Sequence, residues 1–484
     1  MTTVLTPATA YIVLIAFGVV MWIATTAFRR QRSEGASESF LVANRNQGLL
    51  FGGFSIAVSW IWAPALFLSV QMAYEQGLPG IFWFTAPNIL CLVIFAFLAI
   101  RIRKLLPRGY TFPEYIKRRF DSKTHVIYLV VFFMWQTAAI TINCLAGGAL
   151  VHALAGVPYS IAVLLIAAIA LSYALFNGLK ASVITDFVQM SLILVVVFWI
   201  VPWTFMAGGG ADRIQLSGVS GQFGNMFDPW VAYSFGIVCS LGLIAGTIAD
   251  QQFWQRAFAI KKTKVKGAFI LGALSFGIVP ITLAFLGFMA AHPAVNATLP
   301  NPDDAQMIGV QLVGQLLPSW ALVVFLTILI AGLASTLDSA MCAFSSMGSI
   351  DIYKAYFVPQ ASDAQILRTS RRFMVLMTVI GVGIALIPGM KILYIFLVYG
   401  SIVSGTLLPT ILSLYWKKLN SDGVFWGILI GTLVSFPAAI YGNIYDNAHM
   451  IVASAVFPVL TSAIGCAVIS LRKPADFDFS KGLD

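Results

Sequence analysis

Gly332, Ser335, Thr336 and Ser339 stand at the i, i+3, i+4, i+7 spacing that puts side chains on one face of a helix, with Asp338 on its flank. They interrupt the otherwise apolar stretch ILIAGLASTLDSAMCAFSSMGSIDIYK, 328–354. Hydroxyl oxygens along such a face can replace part of a cation's water shell, and small residues let a second backbone come close. The same stripe also suits small-residue helix packing, with the hydroxyls bonded back to their own carbonyls. Asp338 favours the first reading, because an ionisable group inside a membrane helix is costly and usually functional.

The surrounding sequence explains why that helix lies in a membrane. Hydrophobic residues make up 59% of the 484 and charged residues 10%, with a mean hydropathy of +0.89, more apolar surface than a soluble core can hide. Apolar runs near the length that crosses a bilayer lie at 9–28, 50–74, 80–100, 126–152, 159–177, 185–207, 231–249, 267–291, 318–342, 373–389, 392–415, 421–441 and 450–471. The expected class is therefore an all-α polytopic membrane protein of about thirteen transmembrane helices. The longest segments left outside, near 101–125, 208–230 and 343–372, are too short to fold alone.

A formal net charge of +10 could point to nucleic acid, but the positions of the positive residues argue otherwise. With the N-terminus outside, every one of the 29 Lys and Arg except Arg213 and Lys391 falls on the cytoplasmic side. The clusters are RRQR (29–32), RIRKLLPR (101–108), KRRF (117–120), RAFAIKKTKVK (256–266) and SRR (370–372), as the positive-inside bias requires. The chain is expected to be integral to a bacterial plasma membrane, with its C-terminus cytoplasmic, its first span retained and no nucleic-acid partner. Five scattered cysteines and four histidines without ligand spacing suggest neither a disulfide framework nor a metalloenzyme.

Two spans carry helix breakers. Pro64 sits midway in the second, FSIAVSWIWAPALFLSVQMAY, and frees the backbone near Trp60. The seventh, SFGIVCSLGLIAGTIADQQFWQR, has Gly242 and Gly246 and then Asp250, Gln251 and Gln252. Irregular backbone at membrane depth survives where it lines a cavity or is buried in protein. The two spans are five apart, so they run in opposite directions. They can open two inverted five-helix units that hold solute and ions between them, the plan of many secondary transporters. The division expected is an extra span and loop (1–49), a first repeat (50–207), an extracellular loop (208–230), a second repeat (231–416) and two terminal spans with a tail (417–484).

Three stretches carry a resemblance that extends over nearly the whole chain. GLKASVITDFVQ (178–189), LASTLDSAMCAFSSMGSIDIYK (333–354) and SESFLVANRNQG (37–48) resemble the signatures of the sodium:solute symporters, which have the leucine-transporter-type fold. Ser182 and Asn44 depart from residues common in that family. The resemblance implies a sodium site built from the carbonyls of Val58 and Ile61, the carbonyl of Gly332 and the hydroxyls of Ser335 and Thr336. Some members hold a second cation; Asp186 matches its carboxylate ligand, and Ser339 and Asp338 would complete it here. Asp338 could instead bind a proton or lock the helix, and Asp186 could simply cap a helix N-terminus. One sodium ion, or two, and no organic cofactor are implied.

WIWAPALFLSVQMAYEQGLPGIFW (60–83) and ADQQFWQRAFA (249–259) look like the urea-carrying branch of that family. Trp60 and Trp62 straddle the broken segment, and Gln136 in the fourth span could add an amide, together a setting for a small planar polar solute. Asp250, with Gln251 and Gln252 beside it, could line the exit path, attract a cationic solute or pair with Arg256. No Lys or Arg falls at mid-span depth, which weighs against an anionic solute. The expectation is sodium-coupled symport of urea or a similar small solute. A proton-coupled, polyamine or carboxylate symporter and a passive channel are the alternatives. Nucleophile, base and metal ligands do not gather, so no enzyme is expected, and no obligate protein partner is evident.

Overall fold

The computed structural model describes residues 5–27, 36–481 and 483, so the RRQR cluster lies outside the described residues. The described chain is a bundle of helices. Leaving aside Pro293–Asn296, Ile308–Leu316 and single 3-10 turns, they are in order α1 (Pro7–Ala27), α2 (Ala36–Val42), α3 (Leu49–Trp60), α4 (Pro64–Leu105), α5 (Phe112–Arg119), α6 (Ser122–Ala155), α7 (Tyr159–Ala207) and α8 (Pro229–Ala249). There follow α9 (Gln251–Ala259), α10 (Val265–Ala291), α11 (Ser319–Phe357), α12 (Asp363–Ala385), α13 (Ile392–Tyr415), α14 (Ser421–Ile444) and α15 (Ala448–Arg472).

Eleven runs among the described residues are long and apolar enough to cross a bilayer. Three of the thirteen expected spans are built differently. The span at 373–389 belongs to α12, whose first turns carry Asp363, Arg368, Arg371 and Arg372. The spans at 50–74 and 80–100 meet without a loop, because α4 continues from one into the other and only bends at Gly77. The segment expected outside the bilayer at 343–372 is likewise helical as far as Phe357.

Two glycines at positive φ bend the long helices α4 and α7. Gly77 (φ +63) is held against the 208–228 loop by hydrogen bonds from Leu78 N to Leu216 O and from Val219 N to Tyr74 O, and a Cβ there would lie 2.2 Å from Leu216 O. Gly178 (φ +57) bends α7 between its two spanning halves, and a Cβ would lie 2.4 Å from Phe40 O of α2. Gly178→Ala must therefore adopt a left-handed backbone at a cost of about 1–3 kcal/mol and also push α2 away. The expected result is a lower apparent Tm in detergent than the parent; an unchanged melt would show that α2 yields freely.

The basic segments share one end of the bundle. Arg101 Nε donates to Leu414 O at 2.9 Å, Arg119 Nη2 to Trp416 O at 2.7 Å, and Lys117 Nζ to Ala355 O at 2.7 Å. Arg371 Nε reaches Leu175 O at 3.1 Å. At the other end a cavity of about 700 Å³ opens between the ends of α6 and α12, lined by His152, Tyr159, Asp304, Gln306 and Lys391. Burial raises the carboxyl pKa of Asp304 above its ordinary value.

Candidate functional site

Both breaker-bearing spans are broken, and a side chain satisfies freed backbone at each, from α6 at the first and from α9 itself at the second. Between α3 and α4 the chain leaves helical geometry at Ile61 (φ −84, ψ 68). Pro64 has no N–H to donate, and the N–H of Ala63 is taken by Asn143 Oδ1 of α6 at 3.0 Å. Between α8 and α9 the break falls at Asp250 (φ −91, ψ 106), and the Trp254 indole donates to Ile248 O at 2.7 Å. Asp250 also caps α9, its Oδ1 accepting from Gln252 N at 2.8 Å. Gly242 and Gly246 do not make this break. They admit close neighbours, Gly400 to the first and the Trp135 ring to the second.

The hydroxyl stripe of α11 faces the first break. A Cβ on Gly332 would come within 3.0 Å of Ile61 O, so the two backbones nearly touch there. Thr336 Oγ1 lies 3.3 Å from Ser59 O and 3.4 Å from Gly332 O. Val58 O accepts from Ile61 N at 3.0 Å. Thr336 Oγ1 and the carbonyls of Ser59, Ile61 and Gly332 thus meet at a buried contact between α3 and α11, and oxygens of this kind suit a hard monovalent cation. Ser335 departs from the expected arrangement, since its hydroxyl donates to Asp186 Oδ1 at 2.6 Å.

Asp186, Asp338 and Ser339 do converge, but Asp186 and Ser339 are taken by a protein cation. The Arg256 guanidinium is 1% exposed; Nη2 donates to Asp186 Oδ2 at 2.8 Å and to Ser339 Oγ at 2.7 Å, and Nε donates to Ser55 Oγ at 2.8 Å. Two expectations are corrected here. Arg256 belongs to the buried interior rather than to a solvated basic loop, because α9 turns back under the break. Its carboxylate partner is Asp186 and not Asp250. Asp186 caps nothing, lying within the second half of α7. Asp338 is held by hydroxyls: Ser182 Oγ donates to Oδ1 at 2.6 Å and Tyr173 OH to Oδ2 at 2.8 Å.

The second cluster is aromatic and amide-lined. The Trp62 ring lies 5.6 Å from Trp60, 5.8 Å from Trp135 and 5.7 Å from Phe396 between centroids. Beside it Asp250 accepts from Gln136 Nε2 at 2.7 Å and from Trp135 Nε1 at 3.1 Å. Gln252 Nε2 bridges Gln136 Oε1 at 3.1 Å and Asp250 Oδ2 at 3.3 Å. Among the described residues, the buried Trp62 Nε1 and Gln252 Oε1 have no hydrogen-bond partner. Gln251 is not part of this cluster. It turns towards the approach to α5, accepting from Phe112 N at 3.1 Å and donating to Tyr110 O at 3.2 Å.

Several contributors escaped the sequence reading. Trp135 sits next to Gln136, and Asn143 is a lone amide in the apolar run AAITINCLA; both were visible as polar handles in a spanning helix. Ser55 and Ser59 repeat at i, i+4 ahead of the break and so share a face. Nothing local marked Arg256, because its burial depends on where α9 goes after Asp250.

Two interrupted helices, one packed against a hydroxyl-bearing helix and the other beside a buried aromatic and amide cluster, define a secondary transporter of the leucine-transporter type. Residues 40–431 match the sodium:solute symporter family, and the chain belongs to it. It is 26% identical to the urea-proton symporter DUR3 of Oryza sativa, over 98% of this chain and 72% of that protein. To the urea active transporter of Saccharomyces cerevisiae it is 24% identical, covering 98% and 70% respectively. The sodium/glucose cotransporter of Vibrio parahaemolyticus is 26% identical over 98% of this chain and 91% of its own length. Its fold matches that of a Na+-coupled sialic acid symporter in a substrate-bound outward-open state, with TM-score 0.78, 16% identity and coverage of 97% and 99%. The protein is thus an integral membrane transporter working by secondary active symport of a small-molecule solute, and not an enzyme.

Proposed function

We propose that this chain couples the inward movement of sodium to uptake of urea or a comparably small, planar, neutral solute, by alternating access. Two of the unmet groups in the aromatic cluster carry this reading; the Trp60 Nε1 is a third. Trp62 Nε1 needs an acceptor and Gln252 Oε1 needs a donor. Urea offers a carbonyl oxygen to the first and amide N–H groups to the second, and its flat face suits the Trp60–Trp62 stack. The names of the rice and yeast relatives agree with the solute, while the rice relative is named for proton rather than sodium coupling.

Sodium would be held by Ile61 and Val58 carbonyls, Gly332 O, Thr336 Oγ1 and Ser335 Oγ. An ion there ties the broken α3 to α11, which closes one path and steadies the adjoining Trp60–Trp62 segment. A cation crossing about 100 mV releases about 2.3 kcal/mol. A roughly tenfold gradient adds about 1.4 kcal/mol, so one ion can support a solute gradient of order several hundredfold. The repeat boundaries at 50–207 and 231–416, and a cytoplasmic basic face with the N-terminus outside, complete the reading.

One observation favours a second reading. Asp250 receives only neutral donors among its hydrogen bonds, so a small ammonium- or guanidinium-bearing solute would also find a partner there. Uptake of radiolabelled urea, a polyamine, proline, a sugar and acetate into proteoliposomes separates these. Each is measured with an inward sodium gradient, an inward proton gradient and neither. Urea accumulation on sodium alone is expected. Accumulation on the proton gradient alone would move coupling to the proton, and equilibration without accumulation would make the protein a channel.

A further inference from the structure

The residues expected to hold a second cation do not fit a metal ion, because a side chain of the protein already supplies the charge. Asp186 of α7, Ser339 of α11 and Ser55 of α3 all direct oxygen atoms to Arg256, at 2.7 to 2.8 Å. All four residues are buried, with Asp186, Ser339 and Ser55 fully so. A metal ion bound by the same oxygens would need to sit where the guanidinium nitrogens are. Two positive charges that close, away from water, repel strongly.

We propose that Arg256 is a resident cation that takes the place of a second transported ion, so that each solute crosses with a single coupling ion. The inference rests on the cation-coupled reading above. The charges in the cluster are consistent with it. Arg256 and Asp186 pair one to one, so the guanidinium already balances the carboxylate that a second cation would need, and Asp338 is held by Ser182 and Tyr173 instead. A further cation at these oxygens would leave a buried positive excess.

The side chain is also placed to follow the transport cycle. Arg256 sits on the nine-residue α9, just beyond the second break, while its partners lie on α3, α7 and α11. A soluble ion bound there would leave at each inward opening. The tethered guanidinium can return to the same oxygens without a gradient to refill the site.

Equilibrium binding of sodium, and of lithium, to the purified full-length protein tests this, together with the charge-to-solute ratio from reversal potentials in proteoliposomes. The parent is expected to move one charge per solute. Arg256→Gln should bind one more alkali cation per chain than the parent, with a sodium activation curve steepened from a Hill coefficient near one towards two. Adding Asp186→Asn should return the count to the parental value, and Arg256→Lys should keep it. An Arg256→Gln protein recovered intact only in sodium or lithium salts reports the same new site. A parental ratio of two charges, an unchanged ion count in Arg256→Gln, or loss of that variant in every salt would overturn the proposal. A parent that binds no sodium would end the sodium assignment, while the gain of a site in Arg256→Gln would still decide the role of the arginine.

Discussion

Thr336→Ala is expected to weaken sodium activation of solute uptake by roughly tenfold or more, and Ser335→Ala combined with it to abolish sodium-driven accumulation. The first figure follows from one oxygen contact to a charged group, worth about 1.5–3 kcal/mol. The two hydroxyls are not equivalent. Thr336 Oγ1 donates to the carbonyls of Ser59 and Gly332 and to neither carboxylate, so its removal leaves the Asp186–Arg256 cluster in place. Ser335 donates to Asp186, the partner of Arg256, so its removal also disturbs the neighbouring charge cluster. Thr336→Ser keeps the oxygen and should stay within a few fold of the parent. Counterflow exchange at saturating solute should survive in Thr336→Ala, which separates lost coupling from lost folding. Unchanged sodium affinity in both Thr336→Ala and the double variant would refute the ligand assignment.

The parts of this site written in local sequence were legible before any coordinates. Pro64 cannot donate, so a break near Trp60 follows from the residue itself. Ser335, Thr336 and Ser339 share a face because helical spacing puts them there. The location of the second break was only partly legible: the glycines at 242 and 246 looked like the weak point, yet both serve close packing against α13 and α6. Helix α9 resumes with Asp250 as its cap, a signal present in the sequence as an acidic residue before Gln251. What no local rule supplies is long-range pairing. Arg256 meets Asp186 across 70 positions and Ser55 across 201. Sequence placed Arg256 with the basic loop because Lys261 and Lys262 follow it, although α9 carries it into the interior first. The merger of two spans in α4 has the same origin, since the bend at Gly77 is fixed by a loop some 140 residues later in the chain.

Asp250→Ala should reduce solute uptake below detection while the sodium site keeps its affinity. The carboxylate is the acceptor for Trp135 Nε1, Gln136 Nε2 and the Gln252 backbone N–H. Deleting it strands these donors in a dry pocket, at about 1–3 kcal/mol each, and the amides must turn to find new partners. Asp250→Asn is the sharper probe, because it keeps the shape and replaces one acceptor oxygen by a donor. Trp135 and Gln136 approach different oxygens, so one of them must then face an N–H. A neutral solute should still be carried, with affinity reduced roughly ten- to a hundredfold, whereas a cationic solute should be lost entirely. Trp62→Phe supplies the complementary case: the ring remains, the N–H is gone, and a solute whose carbonyl accepts from it should bind about fivefold more weakly, as one hydrogen bond of about 1 kcal/mol requires. If Trp62→Phe binds urea as well as the parent while Asp250→Asn abolishes transport of a polyamine, the pocket is built for charge and the second reading replaces the first.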